Sequence, residues 1–526
     1  MSLITTEIRT KLKHQFFVIR KEAINKLVKP LHDNQSYIYE LQNFALELLN
    51  EDVWQSKQSG FLLAQKILFF ATNEFKETIL KICRNYFEYK EHRVRESVAD
   101  CVGELANIDG IKIYNIVKSD LFGIIDKNMV RSDVDASGPE KLKQLKMKSI
   151  KNNQCIGILS ELITTFNKDD SDMKDLSKPV EMKHDTEGWK SLWSALKTIE
   201  RIIFNLEIRF NEAINEYLLD LVFKLTSHIN RFVREVTYYI YARICKAISN
   251  DKLSKNNNEL GFKLANIIGK GLSDNWSQVR YSSSHACREF FDKIDTWNKK
   301  KQYFPILLPG MSLNRYYVAA GVRTYSIESW KRLVVNKGRF LVAEYIGDIC
   351  KYYCSQAGAD NHAVREAACH CIAELAKKVE HKPITKYVNM LLDALIACFK
   401  DMSWPVRDAA CVAIADFVTA FPIQSQVDLD KDLYHLYFEH LSDNIPSVRE
   451  NSADSIGKII KIKENNIGKK CLDLCIKHLN EYLMKVKLQP KDTQKYGNHK
   501  HNGNDGHNNH NHAHIEPNIK FPEMEN

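Results

Sequence analysis

Cys350 and Cys354 stand four residues apart, and Cys369, His370 and Cys371 follow fifteen residues after Cys354. Four thiols and an imidazole form a ligand set that zinc could use. Residues two apart on a helix point to different faces, which counts against Cys369 and Cys371 sharing one ion. Free cysteine is also a common buried filler, and that is the expectation here and for Cys471 and Cys475. His499, His501, His507, His510, His512 and His514 could take up a transition metal adventitiously, but a solvated spacer suits them better. None of the eighteen histidines is followed by Glu, and no GxxxxGK[ST], HExxH or GxSxG motif occurs. No catalytic residue, metal or cofactor is expected, and no small-molecule substrate is evident.

A second chemistry recurs along the chain. "SDNWSQVR" (273–280) returns as "DMSWPVR" and "SDNIPSVR", an acidic turn followed by Val-Arg. Aligned on that dipeptide, the basic residues are Arg234, Arg280, Arg323, Arg365, Arg407 and Arg449, at spacings of 46, 43, 42, 42 and 42. Arg20, Lys57 and Arg95 are earlier members. A row of Arg could bind planar oxyanions. Pairing inside a recurrent turn is the favoured reading, because the residues recur with the period of the core.

A repeat of about 40 residues is the length of a stacked helical hairpin. Three positions after the Arg stands, in nearly every member, a small residue, such as Ala368, Ala410 or Ser452. Seven and ten after it stand large apolar residues, such as Ile372 and Leu375, or Ile414 and Phe417. Offsets of 3, 7 and 10 share one helix face. Nine positions after the Arg the residue is charged from the third member on, including Arg243, Glu374, Asp416 and Lys458, and this column is expected to face solvent. Apolar stretches such as "YVNMLLDALIACF" precede each turn, so the unit is helix A, tight turn, helix B. Pro405 and Pro446 fall where helix B begins, a position that needs no backbone N–H. Ser403 suits an N-cap there.

These units resemble HEAT repeats of the armadillo-type α-solenoid class, over residues 12 to about 106 and 210 to 485. The resemblance implies an all-α, right-handed α-solenoid of about ten hairpins. It also implies a polar ladder in which Asp274, Asp401 and Asp443 pair with Arg280, Arg407 and Arg449, or with the Arg of a neighbouring unit. Arg365 belongs to the same column. Tyr89, His228 and Tyr317 occupy the Asp position of their repeats, and Asp360 sits one residue late. Such arrays bind extended peptides or other proteins along an exposed surface.

The rhythm lapses for 139 residues between Arg95 and Arg234. The organisation expected is therefore N-terminal repeats over 1–127, an irregular insert over 128–188, the main array over 189–487, and an Asn/His-rich disordered tail over 488–526. The insert carries "KLKQLKMKSIK", five Lys in eleven residues, and then an acidic, polar stretch. A solvated helix face is the plain reading of those lysines; contact with a membrane surface or an acidic partner is the sharper one.

The net charge of +9, from 75 basic and 66 acidic residues among 526, is interleaved and gives no clear nucleic-acid signal. The most apolar window, "FLLAQKILFFA", is too short to span a bilayer. The first residues reach a charge before any apolar run of signal-peptide length, so no secretory targeting is expected. The thirteen cysteines are then expected to be reduced, in a cytoplasmic or nuclear setting.

Trp54, Trp276 and Trp404 all lie in A–B turns, three or four residues before the basic residue. Tubulin-binding TOG arrays present a turn Trp beside basic residues, which makes tubulin or microtubules an alternative partner. A nuclear-transport-type cargo adaptor is another. The scattered placement here suits residues that wedge turns together. The function expected is a non-enzymatic protein-binding scaffold or adaptor, with Trp276 the first place to look for a partner.

Overall fold

The computed structural model describes residues 4–32, 35–129 and 188–485. The Lys-rich stretch, the acidic stretch that follows it, and the tail with its histidines lie outside them. The described residues form α-helices joined by short turns and short helical segments, and the chain divides into two compact units between Tyr303 and Phe304.

The first unit contains six hairpins, each a helix A followed by a helix B. They are α1 (Thr6–Leu12) with α2 (Phe17–Val28), α3 (Ile38–Asn50) with α4 (Trp54–Ile67), and α5 (Asn73–Asn85) with α6 (His92–Asp109). Then come α7 (Ile111–Met129) with α8 (Trp189–Leu206), α9 (Glu216–Leu225) with α10 (Arg231–Ala247), and α11 (Asn250–Leu272) with α12 (Ser277–Lys293). The second unit contains four: α13 (Phe304–Asn314) with α14 (Ala320–Val334), α15 (Ile346–Ala357) with α16 (His362–Lys378), α17 (Val388–Phe399) with α18 (Trp404–Ala420), and α19 (Tyr434–His440) with α20 (Pro446–Ile460). A last helix, α21 (Ile467–Lys485), packs on α20. Ten hairpins are thus present among the described residues, the number the repeat spacing implies.

The apolar columns account for the stacking. Ile372, Ile414, Leu105, Ile244 and Phe417 are all fully buried, and the small residues three after the Arg are buried with them. Smallness has a steric cause at Gly60: a Cβ there would stand 2.8 Å from Leu49 Cγ and 3.1 Å from the Ala45 carbonyl oxygen. Helix B therefore lies almost on the backbone of its own helix A. The layer between successive B helices takes the large residues at close-packed density.

The interval between Arg95 and Arg234 holds one regular hairpin. Its helix B is α8, with Leu192 at the Arg position, 42 residues before Arg234, and with Ala195, Ile199 and Ile202 buried at the offsets of 3, 7 and 10. Residues 130–188 fall between the A and B helices of this hairpin, not between repeats. Gly188, at φ +88°, returns the chain against Asn128; a Cβ there would sit 2.1 Å from the Asn128 Oδ1. Sequence periodicity lost the repeat because Leu replaces Arg and the turn is replaced by a long connection.

Helix α14 departs from the stack. In the second unit α14 packs on α13, and on that side α16 meets α13, while α16, α18 and α20 stack in succession. Among the described residues no helix is long and apolar enough to cross a membrane.

Candidate functional site

The repeated basic residue ties each hairpin to itself and to the next. In α10, Arg234 Nη1 donates to the carbonyls of His228 (2.8 Å) and Ile229 (2.9 Å) in its own turn. Its Nε and Nη2 donate to the two carboxylate oxygens of Asp274 in the following turn, at 2.8 and 3.0 Å. Arg365 grips Asp401 in the same bidentate way, at 2.6 and 2.9 Å, and Arg407 grips Asp443 at 2.8 and 3.0 Å. The side-chain partner of each Asp is therefore the Arg of the preceding repeat. The Arg of its own repeat takes the Asp backbone carbonyl instead, as Arg407 does at Asp401 (2.9 Å) and Arg449 does at Asp443 (2.7 Å). Arg280 follows this pattern, with Nε on the Asp274 carbonyl (2.6 Å) and Nη1 on that of Leu272 (2.9 Å).

The same Asp also organises helix B. Asp274, Asp401 and Asp443 each accept the amide N–H two residues on, at 2.8–2.9 Å. Ser403 occupies the N-cap position of α18 but its hydroxyl makes no capping bond; Asp401 instead accepts the Ser403 amide just ahead of the helix. Burial alone would raise the Asp401 and Asp443 carboxyls. The arginine and amide hydrogen bonds outweigh it and hold both below the usual carboxylate range.

Where the sequence lacks Asp, other acceptors complete the rung. Arg20 donates to Gln58, whose amide passes on to the Arg93 carbonyl at 3.1 Å. Lys57 reaches the Tyr86 hydroxyl (3.1 Å), and Arg95 Nε reaches the Ser194 hydroxyl (2.6 Å). Gln58, Tyr86 and Ser194 carry no motif, so only their placement one repeat ahead identifies them.

The charged column nine after the Arg is not uniformly the solvent side: Arg332 is exposed, but two members are buried. Glu374 is 7% exposed and Asp416 is 9% exposed. Asp416 is held between Lys377 (2.5 Å) and Lys458 (3.0 Å), joining three successive repeats. In the first unit Arg243 Nε donates to Glu200 at 2.8 Å. The column runs along the seam between neighbouring B helices, where alternating charge can be neutralised across the seam. Glu374 meets Arg315, at the end of α13, at 2.6 Å with both side chains less than a tenth exposed. This pair stands where the regular rung is missing, since Arg323 is exposed and reaches only the Val318 carbonyl.

The cysteines of the second unit disperse. The free thiols of Cys369 and Cys398 share a hydrogen bond, Cys371 faces the Ser312 carbonyl, and Cys354 faces that of Met390. Burial pushes the Cys350 thiol up to about 12 and Cys354 up to about 11. His370 stacks on Tyr316, and burial pushes it down to about 4. Among the described residues no group of three or more His, Cys, Asp or Glu side chains is arranged to hold a metal.

Trp54 lies between two cations, Arg93 at 3.8 Å and Arg20 at 5.2 Å from its ring centre. Trp276 is 45% exposed and has Arg231 of the preceding repeat 4.1 Å from its ring centre. Trp404 is 48% exposed beside Met402, which is almost wholly exposed.

A cavity of about 400 Å³ opens between α6, α8 and α10 in the first unit. Its aromatic lining comes from Trp189 and Trp193, one helical turn apart on α8, and from Phe232 and Tyr239 on α10. Trp189 and Phe232 stack with ring centres 5.3 Å apart and planes at 18°. Glu96 and Glu235 contribute carboxylates, and burial pushes the Glu235 carboxyl up against the opposing pull of Lys197 and Arg231. The sequence signal was present, as two Trp at i and i+4 in "WKSLWSALKTIERIIF", but nothing in it distinguished an open face from a buried one.

The family described as dynein axonemal assembly factor 5-like, TPR repeats, matches residues 225–486, just under half of the chain. No curated protein matches the sequence. Similar solved structures include importin β in an ammonium sulfate condition, at 12% identity and a TM-score of 0.42, covering 86% of this chain and 51% of that one. A chain of the Kap95p–RanGDP structure matches at 13% and 0.38, covering 92% and 59%, and a designed armadillo repeat protein at 15% and 0.26, covering 51% and 93%. This chain thus spans between half and three fifths of the importin β and Kap95p chains. With A–B hairpins stacked within each unit and its repeated turn chemistry, the chain has a helical-repeat fold of the HEAT/armadillo solenoid type.

Proposed function

We propose that this protein is a non-enzymatic scaffold that binds other proteins during the assembly of axonemal dynein, acting in the cytoplasm. The observation that carries the reading is the family match over residues 225–486, on an array whose polar side chains are spent on ties between repeats. Such ties fix the relative positions of helices, and a rigid row of hairpins offers neighbouring surfaces to one extended partner. The cavity between α6, α8 and α10 supports the binding role because three successive B helices build it together.

The test is affinity purification of the tagged chain from cells that are building motile cilia, paired with its depletion. Axonemal dynein subunits should co-purify reproducibly, and depletion should lower the dynein content of the axoneme. Normal axonemal dynein after complete depletion would overturn the reading.

A further inference from the structure

We propose that the cavity between α6, α8 and α10 is a recognition pocket for a lysine or arginine side chain, presented by an extended segment of a partner protein. The inference rests on the scaffold reading and adds the chemistry of what is bound.

Aromatic faces attract cations, most strongly where water is thinned out. Trp193 is half-buried on the cavity wall, and the stacked Trp189–Phe232 pair forms another part of it. Glu235 lies in the same lining, half-buried, and makes no hydrogen bond or ion pair among the described residues. A carboxylate in that position loses hydration and gains only the more distant pull of Lys197 and Arg231, so a guest that brings a positive charge into contact with it is favoured.

The cations already in the lining have partners of their own, and Lys197 also holds its ammonium 5.8 Å from the Tyr239 ring centre. Lys197 pairs with Glu200 at 3.1 Å, and Arg95 is buried with its donors on the Tyr89 and Lys90 carbonyls and the Ser194 hydroxyl. Lys190 is exposed, with its ammonium 6.0 Å from the Trp189 ring centre. An apolar guest would strip the remaining water from Glu235, and an acidic guest would meet the carboxylates of Glu96 and Glu235. A volume of about 400 Å³ accommodates one long side chain and its flanking backbone.

Random peptides displayed on phage, selected against the full-length protein, test the assignment. The selected sequences should share a Lys or Arg at one anchor position. A synthetic peptide of that consensus should bind Glu235→Gln about tenfold more weakly, equivalent to ~1.4 kcal/mol, with a similar loss when citrulline or norleucine replaces the anchor. Trp193→Ala should weaken it as well, and matching thermal melts of Glu235→Gln and wild type keep the comparison fair. An acidic or wholly apolar consensus, or equal binding to Glu235→Gln, overturns the assignment. A synthetic peptide of residues 141–151 that displaces every selected sequence would make this chain its own guest and overturn the assignment to a partner. Recovery of dynein subunits that is untouched by Glu235→Gln would overturn the pocket and leave the scaffold standing. Basic-peptide binding that depends on Glu235, in a protein that recovers no dynein subunit, would do the reverse.

Discussion

Arg231, the first residue of α10, stacks on Trp276 in the following turn at 4.1 Å and on Phe232 at 4.8 Å. Phe232 in turn stacks on Trp189. One cation therefore connects an exposed turn tryptophan to the wall of the aromatic cavity. Trp276→Ala and Arg231→Ala should each cost about 0.5–1 kcal/mol in urea unfolding and should be coupled in a double-mutant cycle. If Trp276 serves this clamp, the Trp276→Ala, Trp404→Ala pair will co-sediment with microtubules no differently from wild type. A loss of co-sedimentation would favour the tubulin alternative.

The Arg407–Asp443 rung predicts a stability effect that an exposed arginine lacks. Arg407→Ala removes two charge-assisted bonds to the next repeat and two bonds to its own turn carbonyls. It should destabilise the second unit by about 1–3 kcal/mol. Arg323→Ala, at the position where the side chain is exposed, should stay within about 0.5 kcal/mol. Urea midpoints of the two variants make the comparison.

The buried Arg315–Glu374 pair should be the most sensitive polar contact of the second unit. Glu374→Ala leaves a guanidinium in a site where Ser312 supplies the other acceptors, at 2.9 Å for its hydroxyl and 3.2 Å for its carbonyl. A loss of about 3–5 kcal/mol is expected, because an unpaired buried charge costs more than the pair contributes. Replacing both residues by apolar ones of similar size should recover much of it, and denaturant unfolding measures both.

Acid should loosen the rungs before it affects the apolar core. Asp401 and Asp443 have folded pKa values below the ordinary one, so their stabilisation is present above the unfolded value of about 3.9 and is lost as pH falls through the lower folded values. Urea midpoints should therefore be insensitive to these groups between about pH 5 and 7 and should fall below about pH 4. Asp443→Asn should flatten part of that acid limb.

The apolar columns were legible because one helix face must be buried, and the offsets of 3, 7 and 10 mark that face in any hairpin of this kind. The acidic partners Asp274, Asp401 and Asp443 were visible because Asp recurs at a fixed distance before Val-Arg. Their direction was not, since nothing local distinguishes an Arg that pairs within its turn from one that reaches forward. Gln58, Tyr86 and Ser194 serve the same end with three different chemistries, so no pattern connects them. The charged column misled for a related reason: a charge at a seam between two helices has the same spacing as a charge facing water. Asp416 is buried only because Lys377 and Lys458 arrive from the repeats on either side. The cavity tryptophans depend likewise on how α6, α8 and α10 meet.

The contact between Asn128 and Gly188 has a consequence for how such an array can change. The fourth hairpin closes over residues 130–188, where its sisters use a few residues, yet Leu192 keeps the 42-residue interval to Arg234. Loop-closure entropy grows only with the logarithm of length, so this extension costs about 2 kcal/mol relative to a tight turn. The stack's register is carried by its helices and is indifferent to the cargo threaded through a turn. Each A–B turn is in that sense a docking port: new chain can be spliced into it while the spacing of every surface beyond it is conserved.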